Sequence, residues 1–276
     1  MGVQSENFPS GSHSFKPLLV FDFDGVISNS VHDSFRTALN SFLKLSPENR
    51  LPLSECIDPG EAVFDFEKKC PELFDAFYRL MPFGNRAEDY YVILKIIETK
   101  QDCDVQDQQS YNAFKNKLSS VELHQYHQAF YHLRRFYQKS PETWSDLLPP
   151  FPGVVDAVKK LSKQFTLAIA TSKDITSVRI QLKSYGLEDC FPVQQILDKE
   201  HSDSKRHHLE ALQRSHKLPF DQIRFIDDKV LHLISVADLG IQCYLAKWGF
   251  NTPREHVLAK DHGFRLLELK DLSLLK

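Results

Sequence analysis

Five polar side chains stand directly after short apolar segments of the sequence, and their chemistry is that of a carboxylate site. Asp22 and Asp24 follow a Leu-Leu-Val-Phe run, Thr171 follows a Leu-Ala-Ile-Ala run, and Asp227 and Asp228 follow a Phe-Ile pair. Two carboxylates at the end of a buried segment repel one another and lose solvation unless a cation or a proton compensates them. The pattern therefore predicts a site that holds a cation or moves protons with carboxylates.

The glycines and histidines exclude several other kinds of active site. No two of the ten glycines are separated by one residue or by three, so neither G-x-G nor G-x-S-x-G occurs, and the sequence has no G-K-[ST]. Dinucleotide-binding, nucleophile-elbow and P-loop enzymes depend on those motifs. No histidine is followed directly by glutamate, which excludes the H-E-x-x-H zinc helix.

The composition argues against nucleic acid or a membrane as a partner. The chain has 276 residues, with 34 basic and 37 acidic side chains and a formal net charge of −3, whereas a nucleic-acid surface needs a positive excess. The longest uncharged apolar stretches, such as residues 17–21 and 90–94, are far shorter than the roughly 20 residues that cross a bilayer. The oligomeric state stays open.

The cysteines and the N-terminus predict a cytoplasmic protein. Residues 1–14 are polar and lack the apolar stretch of a secretory signal, so we expect them to form a loose tail. Free thiols in a reducing compartment are the expected state of an odd number of widely spaced cysteines. The five are Cys56, Cys70, Cys103, Cys190 and Cys243.

The elements that position the polar residues alternate between strands and helices. The apolar run before Asp22 has no helical period and predicts a strand buried on both faces. After three prolines and a glycine in residues 149–153, alternation of helices and strands predicts an α/β fold with a doubly wound parallel sheet. The predicted elements are helix 154–161, strand 166–170, helix 175–185, strand 193–197, helix 205–215, strand 223–226, a helix ending by Gly240, and strand 241–245.

Residues 31–148 have a helical period throughout and predict a second domain. Apolar residues there repeat at spacings of three and four, as in Leu123, Tyr126, Phe130, Leu133 and Tyr137. Because one strand precedes this block and the others follow it, we expect an all-helical domain inserted into an α/β core of residues 15–30 and 149–276. Ligands of parallel sheets bind beyond the carboxyl ends of the strands, so the polar strand ends should line one crevice.

The motifs together resemble the haloacid dehalogenase superfamily, hydrolases that act mostly on phosphate esters. The run from Phe21 to Ile27, Phe-Asp-Phe-Asp-Gly-Val-Ile, resembles its first motif, and Thr171, a lysine and the pair Asp227-Asp228 follow in the family order. The helical block resembles the cap inserted after the first motif. Trp248-Gly249-Phe250 resembles a turn of phosphoglycolate-phosphatase-like members. The resemblance implies a Rossmann-like core with a helical cap.

The resemblance also implies roles for these residues in phosphoryl transfer. Asp22 is expected to be the nucleophile that forms an aspartyl-phosphate. Asp24 lies two residues later on the same side of the chain and is expected to protonate the leaving alcohol and then activate water. Gly25, at the turn of the family's flap, is expected to lie beside the phosphate with Thr171 and Ser172.

A divalent cation, expected to be Mg²⁺, would offset the repulsion between a carboxylate nucleophile and a phosphate dianion. The resemblance implies that Asp22, the backbone carbonyl of Asp24, and Asp227 hold it. Asp228 is either a further ligand or an acceptor behind the ligands, and Leu231 replaces an acid often found in the family.

The phosphate-binding lysine is either Lys199 or Lys205, and Ser204-Lys205 at the start of a predicted helix matches the family pattern better. The sequence as a whole thus predicts a Mg²⁺-dependent phosphatase that hydrolyses a small-molecule phosphate monoester. A phosphomutase or phosphonatase of the same fold, and a non-catalytic binding or scaffold protein, are the alternatives. The identity of the ester is left open.

Overall fold

The computed structural model describes residues 16–53, 69–84, 86–202 and 204–276. The predicted tail, residues 1–14, lies outside the described residues, as does part of the predicted helical insertion. None of the helices in the described ranges is both long enough and apolar enough to span a membrane. Within these ranges Cys70, Cys103, Cys190 and Cys243 are free thiols.

Six parallel strands form one sheet, which confirms the predicted fold class. Their spatial order is β3-β2-β1-β4-β5-β6, so β1 lies inside the sheet between β2 and β4. The strands are β1 (Leu18–Phe21), β2 (Thr166–Ala170), β3 (Ile196–Leu197), β4 (Ile223–Asp227), β5 (Gln242–Ala246) and β6 (Arg265–Leu267).

The strand β1 is buried on both faces, as its unbroken apolar run predicts. Leu19 and Phe21 belong to one hydrophobic cluster, whereas Leu18 and Val20 belong to a second cluster on the opposite face. Successive side chains of a strand point to opposite faces, so helices must cover both sides of the sheet. Such burial leaves the strand ends as the natural place for polar chemistry.

In the described ranges, six helices lie between β1 and β2 in the chain, and the longest of them share an aromatic core. α1, α3 and α5 pack against one another. Phe35, Phe77, Tyr90, Tyr126 and Phe130 are all buried there, which explains the helical repeat of large apolar residues. The helices are α1 (Val31–Leu45), α2 (Pro71–Leu80), α3 (Ala87–Glu98), α4 (Gln108–Lys115), α5 (Ser120–Tyr137) and α6 (Pro141–Asp146).

The two connections that join these helices to the sheet run side by side. The N–H of Asn29 donates to the carbonyl oxygen of Pro149 at 2.8 Å, and the N–H of Phe151 donates to that of Ile27 at 3.1 Å. Ser28 and Pro150 form an antiparallel bridge. The pairing lies at the limits predicted for the insertion and holds it over the carboxyl ends of the strands.

The remaining helices cover the sheet close to where the sequence predicts them. They are α7 (Val154–Leu161), α8 (Ile175–Ser184), α9 (Lys205–His216), α10 (Val230–Ile234) and α11 (Pro253–Asp261). α10 is shorter than predicted, because a 3-10 turn at Ala237–Leu239 precedes Gly240, whose φ of +82° ends the segment. The short edge strand β6 was not predicted, since three residues give no clear period.

Candidate active site

Asp22 stands immediately after β1, inside the sheet. Its backbone N–H donates to the carbonyl oxygen of Ile226 at 2.8 Å, so the backbone of Asp22 is still hydrogen-bonded to β4. The side chain is buried, and its Oδ1 accepts from the N–H of Phe23 at 2.7 Å. The same oxygen lies 2.8 Å from Nζ of Lys205. The carboxylate is therefore held by a fixed backbone donor and by one buried cation.

Asp227 ends the neighbouring strand, β4, and is completely buried. Its Oδ1 accepts from the N–H of Lys229 at 2.8 Å. Nδ1 of His232 lies 3.0 Å from Oδ2 and 3.1 Å from Oδ1. Nζ of Lys205 lies 3.4 Å from Oδ2. Three nitrogens thus surround this carboxylate, and one of them also contacts Asp22.

Lys205 is the lysine that reaches these carboxylates. It is the first residue of α9, and its buried Nζ also donates to the carbonyl oxygen of Ala170 at 2.6 Å. The other candidate, Lys199, places its Nζ 4.7 Å from the ring centroid of Tyr131 on the helical insertion. The geometry therefore favours Lys205 over Lys199 as a phosphate-binding group.

Burial and neighbouring charges separate the pKa values of the three groups. Burial raises the pKa of Asp22 to about 6, although Lys205 acts in the opposite direction. Burial acts on Asp227 as well, but His232 and Lys205 outweigh it and lower its pKa to about 2. Burial tends to lower the pKa of Lys205, yet the two carboxylates raise it above its ordinary value. One ammonium is thus shared between two carboxylates.

Asp24 pairs with a different cation, Lys173. Nζ of Lys173 lies 2.8 Å from Oδ1 and 3.2 Å from Oδ2 of Asp24. The lysine side chain is only 2% exposed, whereas that of Asp24 is 28% exposed. Asp24 is thus held in place by a buried cation while its carboxylate stays accessible.

Thr171 and Ser172 lie beside Asp22 because β2 is hydrogen-bonded to β1. The N–H of Thr171 donates to the carbonyl oxygen of Leu197 at 2.9 Å, and its Oγ1 accepts from the N–H of Lys173 at 3.1 Å. Both residues line the same cavity as Asp22 and Asp24. The helix that follows, α8, is capped by Asp174, which leaves the Thr171 and Ser172 side chains available to a ligand.

Asp228 is fully buried and occupies a tight site next to two glycines. Its Oδ2 accepts from the N–H of Phe250 at 2.8 Å, and its Oδ1 is buried without a hydrogen-bond partner within the described ranges. A Cβ on Gly25 would overlap the Asp228 carboxyl group, and a Cβ on Gly249 would overlap the Asp228 Cβ and the carbonyl oxygen of Gly25. Burial raises the pKa of Asp228 well above its ordinary value, and Asp227 and Asp22 reinforce the effect. Gly25, with φ of +86°, is required both for its backbone angle and for this space.

A cavity of about 50 Å³ joins the strand ends to the helical insertion. Typical ligand pockets occupy roughly 300–1,000 Å³, so the two parts of the molecule are close together here. The lining consists of strand-end residues on one side and of insertion residues on the other. The insertion contributes Ser34, Arg86, Ala87, Tyr90, Phe130, Tyr131 and Arg134.

Arg134 brings a buried ion pair to the wall of that cavity. Its guanidinium lies 2.7 Å from Oδ2 of Asp33, a fully buried residue of α1. Oδ1 of Asp33 accepts from Nε1 of Trp144 at 2.9 Å. The pair is fixed by a neighbouring helix, so Arg134 presents a well-positioned positive charge to the cavity.

The residues fit the predicted cation site in part. Among the described residues, candidate ligand atoms of Asp22, Asp227 and His232 all lie within 4.8 Å of one another. Carboxylate oxygens are suitable ligands for Mg²⁺, and two buried carboxylates facing one ammonium leave negative charge for a cation to compensate. Asp228 does not belong to this group of three, although its unpartnered Oδ1 lies buried nearby.

Three residues of the site were not among the predicted site residues. Lys173 follows Thr171 and Ser172 directly, so its position after the end of β2 could have indicated that it belongs to the site. His232 lies one position after Leu231, where the family comparison directed attention to an acid instead. Arg134 was one of several arginines in the insertion that no sequence feature separates, since only packing against Asp33 distinguishes it.

Comparisons with known proteins identify this architecture. The family model described as haloacid dehalogenase-like hydrolase matches residues 85–246, which contain Thr171, Lys205 and Asp227. The match confirms the resemblance indicated by the motifs. A comparison with curated proteins finds no match.

Solved structures share the fold over almost the whole chain. A haloacid dehalogenase-like family hydrolase from Streptococcus pneumoniae is 16% identical, with a TM-score of 0.63 over 94% of this chain and 96% of that one. A predicted phosphoglycolate phosphatase from Haemophilus somnus is 18% identical, with a TM-score of 0.58 over 95% and 98%. A predicted phosphatase from Clostridium acetobutylicum is 16% identical, with a TM-score of 0.56 over 95% and 98%. At these identities the likeness shows a common fold.

Proposed function

The chain belongs to the haloacid dehalogenase-like hydrolase family, and on this premise we propose that it is a phosphatase that hydrolyses a small-molecule phosphate monoester. One observation carries the proposal. Nζ of Lys205 lies 2.8 Å from Asp22 and 3.4 Å from Asp227. This proximity supports the proposed roles of Asp22 as nucleophile, Asp227 as cation ligand and Lys205 as phosphate-binding group. Two of the structurally similar proteins are described as phosphatases, which supports the same reaction class.

Asp22 is the nucleophile in this proposal. Its carboxylate attacks the phosphorus atom, the bond to the leaving oxygen breaks, and an aspartyl-phosphate forms. A covalent intermediate divides one difficult displacement into two easier ones. The N–H of Phe23 and the ammonium of Lys205 orient the carboxylate for attack, and burial removes the water that would otherwise solvate it.

Asp24 is the general acid and base. It donates a proton to the leaving oxygen in the first step and accepts a proton from the attacking water in the second. Its carboxylate lines the cavity with 28% of the side chain exposed, so both the leaving group and water have access to it. Lys173 holds the carboxyl group of Asp24 in position.

The transferred phosphoryl group is bound by Thr171, Ser172, Lys205 and the backbone near Gly25. Charge spreads over the equatorial oxygens in the transition state, and positioned donors stabilise it there. Thr171 and Ser172 line the cavity beside Asp22. Because Nζ of Lys205 lies 2.8 Å from the nucleophilic carboxylate, its positive charge can offset the negative charge of the phosphoryl group as the bond to Asp22 forms.

Asp22, Asp227 and the backbone carbonyl of Asp24 would hold Mg²⁺. The ion supplies electrostatic stabilisation of the phosphoryl oxygens and reduces their repulsion with the nucleophile. Lys205 provides only one positive charge for two buried carboxylates and an incoming dianion. The acidic strand ends therefore favour a cation-dependent reaction.

The helical insertion closes the site and contacts the leaving group. Arg86, Tyr90 and Arg134 line the same cavity as Asp24, where the alcohol portion of an ester would lie. Because the cavity measures only about 50 Å³, substrates enter after the insertion moves away from the strand ends. Closure then excludes bulk water from the first step.

The decisive experiment is hydrolysis of para-nitrophenyl phosphate and of a panel of metabolite phosphate monoesters, with Mg²⁺ or with EDTA. Wild type is compared with Asp22→Asn and with Asp189→Asn, an exposed aspartate that serves as the matched control. We expect release of inorganic phosphate that requires Mg²⁺, is lost in Asp22→Asn and is kept in Asp189→Asn. Acid-quenched wild-type protein should carry a phosphoryl group on the peptide that contains Asp22.

The contrary results are distinct from one another. Hydrolysis that is insensitive to both EDTA and Asp22→Asn would contradict the mechanism. A rearranged phosphate ester in place of inorganic phosphate would identify a mutase, and activity confined to phosphonates would identify a phosphonatase. Failure to act on every ester and phosphonate would favour a binding or scaffold protein.

A further inference from the structure

His232 stands at the edge of the cation site without a role in the reaction proposed above. It lies on α10, and its ring is 31% exposed, whereas the carboxylate that it contacts is completely buried. Nδ1 lies 3.0 Å and 3.1 Å from the two oxygens of Asp227. A hydrogen bond accounts for this contact, but the position of the ring also places a nitrogen donor beside two buried carboxylates.

The distances suit coordination of one ion. Candidate ligand atoms of Asp22, Asp227 and His232 all lie within 4.8 Å of one another. In an octahedral shell with bonds of about 2.1 Å, neighbouring ligands are about 3.0 Å apart and opposite ligands about 4.2 Å apart. The separation of His232 and Asp227 matches that of neighbouring ligands.

The residues around His232 leave it free to act as a ligand. Leu231, its neighbour on α10, is 48% exposed and has no side-chain atom that could bind a metal ion. His232 also lines a second cavity of about 210 Å³, whose lining includes neither Asp22 nor Asp24. That cavity leaves room for an ion or for water beside the imidazole.

We propose that His232 is a protein ligand of the cation held by Asp22 and Asp227, and that its nitrogen raises the affinity of the site for Mn²⁺ and Co²⁺ relative to Mg²⁺. Imidazole is a favourable ligand for transition metals, whereas Mg²⁺ prefers oxygen ligands. The inference rests on the proposed cation site but not on the reaction. The metal preference of the site would then depend on His232.

The test measures metal binding directly, in the full-length protein without substrate. Electron spin-echo spectroscopy of bound Mn²⁺ reports a coordinated imidazole through its nitrogen coupling, and calorimetric titrations give the affinities for Mg²⁺, Mn²⁺ and Co²⁺. The main variant is His232→Asn, because the asparagine Nδ2 can replace Nδ1 as a hydrogen-bond donor to Asp227 but cannot act as an imidazole ligand. His262→Ala, at an exposed histidine, controls for binding elsewhere.

We expect nitrogen coupling in wild type and in His262→Ala, and its loss in His232→Asn and in Asp227→Asn. The Co²⁺ affinity of His232→Asn should fall by at least about tenfold, in the range seen when groups around a metal are removed, while its Mg²⁺ affinity changes little. Circular dichroism of each variant establishes that it is folded.

Three results would overturn the inference: Mn²⁺ bound at one ion per chain without nitrogen coupling, an unchanged ratio of Co²⁺ to Mg²⁺ affinity in His232→Asn, or no metal binding. The first two leave the proposed phosphatase intact if Mg²⁺-dependent hydrolysis is observed. Nitrogen coupling in a protein that hydrolyses no ester would instead refute the proposed function and support the role of His232.

Discussion

Replacing the nucleophile should make the metal-free protein more stable while it abolishes activity. Burial raises the pKa of Asp22 from 3.8 to about 6, so the folded protein holds this carboxylate in its ionised form at a cost. At about 1.4 kcal/mol for each pH unit, the cost at neutral pH is about 3 kcal/mol. Asp22→Asn removes the charge and keeps the shape, so its free energy of unfolding should exceed that of wild type by up to about 3 kcal/mol.

The pH dependence follows from the direction of the shift. Between about pH 4 and pH 6 the folded protein keeps a proton on Asp22 that the unfolded chain has lost, so this group makes stability fall as pH rises. Above pH 6 both states are ionised and the cost is constant. The advantage of Asp22→Asn should therefore be largest at pH 7.5, fall to about half at pH 5, and vanish below pH 4.

Urea unfolding in EDTA, followed by circular dichroism at pH 7.5 and pH 5, measures this difference. Asp189→Asn, an exposed substitution, should differ little from wild type at either pH. Added Mg²⁺ should stabilise wild type more than Asp22→Asn, because a ligand stabilises only the state that binds it. An Asp22→Asn protein that is no more stable than wild type at pH 7.5, or whose advantage does not shrink at pH 5, would refute the argument.

Other substitutions test separate parts of the site. Lys205→Met should lower kcat by at least about 100-fold and destabilise the protein by about 3–5 kcal/mol, because two buried carboxylates lose their cation. Steady-state kinetics measures the first effect and urea unfolding the second. A variant with the kcat of wild type would contradict the assignment of Lys205. Asp24→Asn should lower kcat by about 100-fold or more with little change in KM, and a change confined to KM would remove its role in proton transfer. Arg134→Ala should destabilise the protein by about 3–5 kcal/mol, because Asp33 stays buried without its partner. The control Arg135→Ala, at the exposed neighbouring residue, should have little effect. Equal urea unfolding midpoints for the two variants would contradict this prediction.

At Asp22, the reactivity of the nucleophile and the stability of the folded protein oppose one another. A nucleophile needs to be ionised and poorly solvated, and both conditions destabilise the folded protein. Asp227 differs because His232 and Lys205 hold its pKa at about 2, so its charge is stabilised in the folded state. The site thus contains one carboxylate that is held ionised at a cost and one that is held ionised by its neighbours.

The sequence predicts the sheet well because its signals are local. A strand buried on both faces is an uninterrupted apolar run, and the helices between strands have their own period, so helix 154–161 and strand 166–170 coincide with α7 and β2. Short edge elements such as β6 carry too few residues for any period. The end of α10 was misplaced because Gly240 ends a 3-10 turn and not the helix itself.

Sequence alone determined that acids and a threonine end neighbouring strands, because strand ends are set by where apolar runs stop and parallel strands end at a common edge. Tertiary structure decided which charges meet there. Lys173 and Asp24 are 149 positions apart, and Arg134 and Asp33 are 101 apart, so no local pattern links them. The choice of Lys205 over Lys199 and the approach of His232 to Asp227 likewise follow from how α9 and α10 pack on the sheet. Contacts of this kind are specified by three-dimensional packing, in which every helix position depends on all of its neighbours.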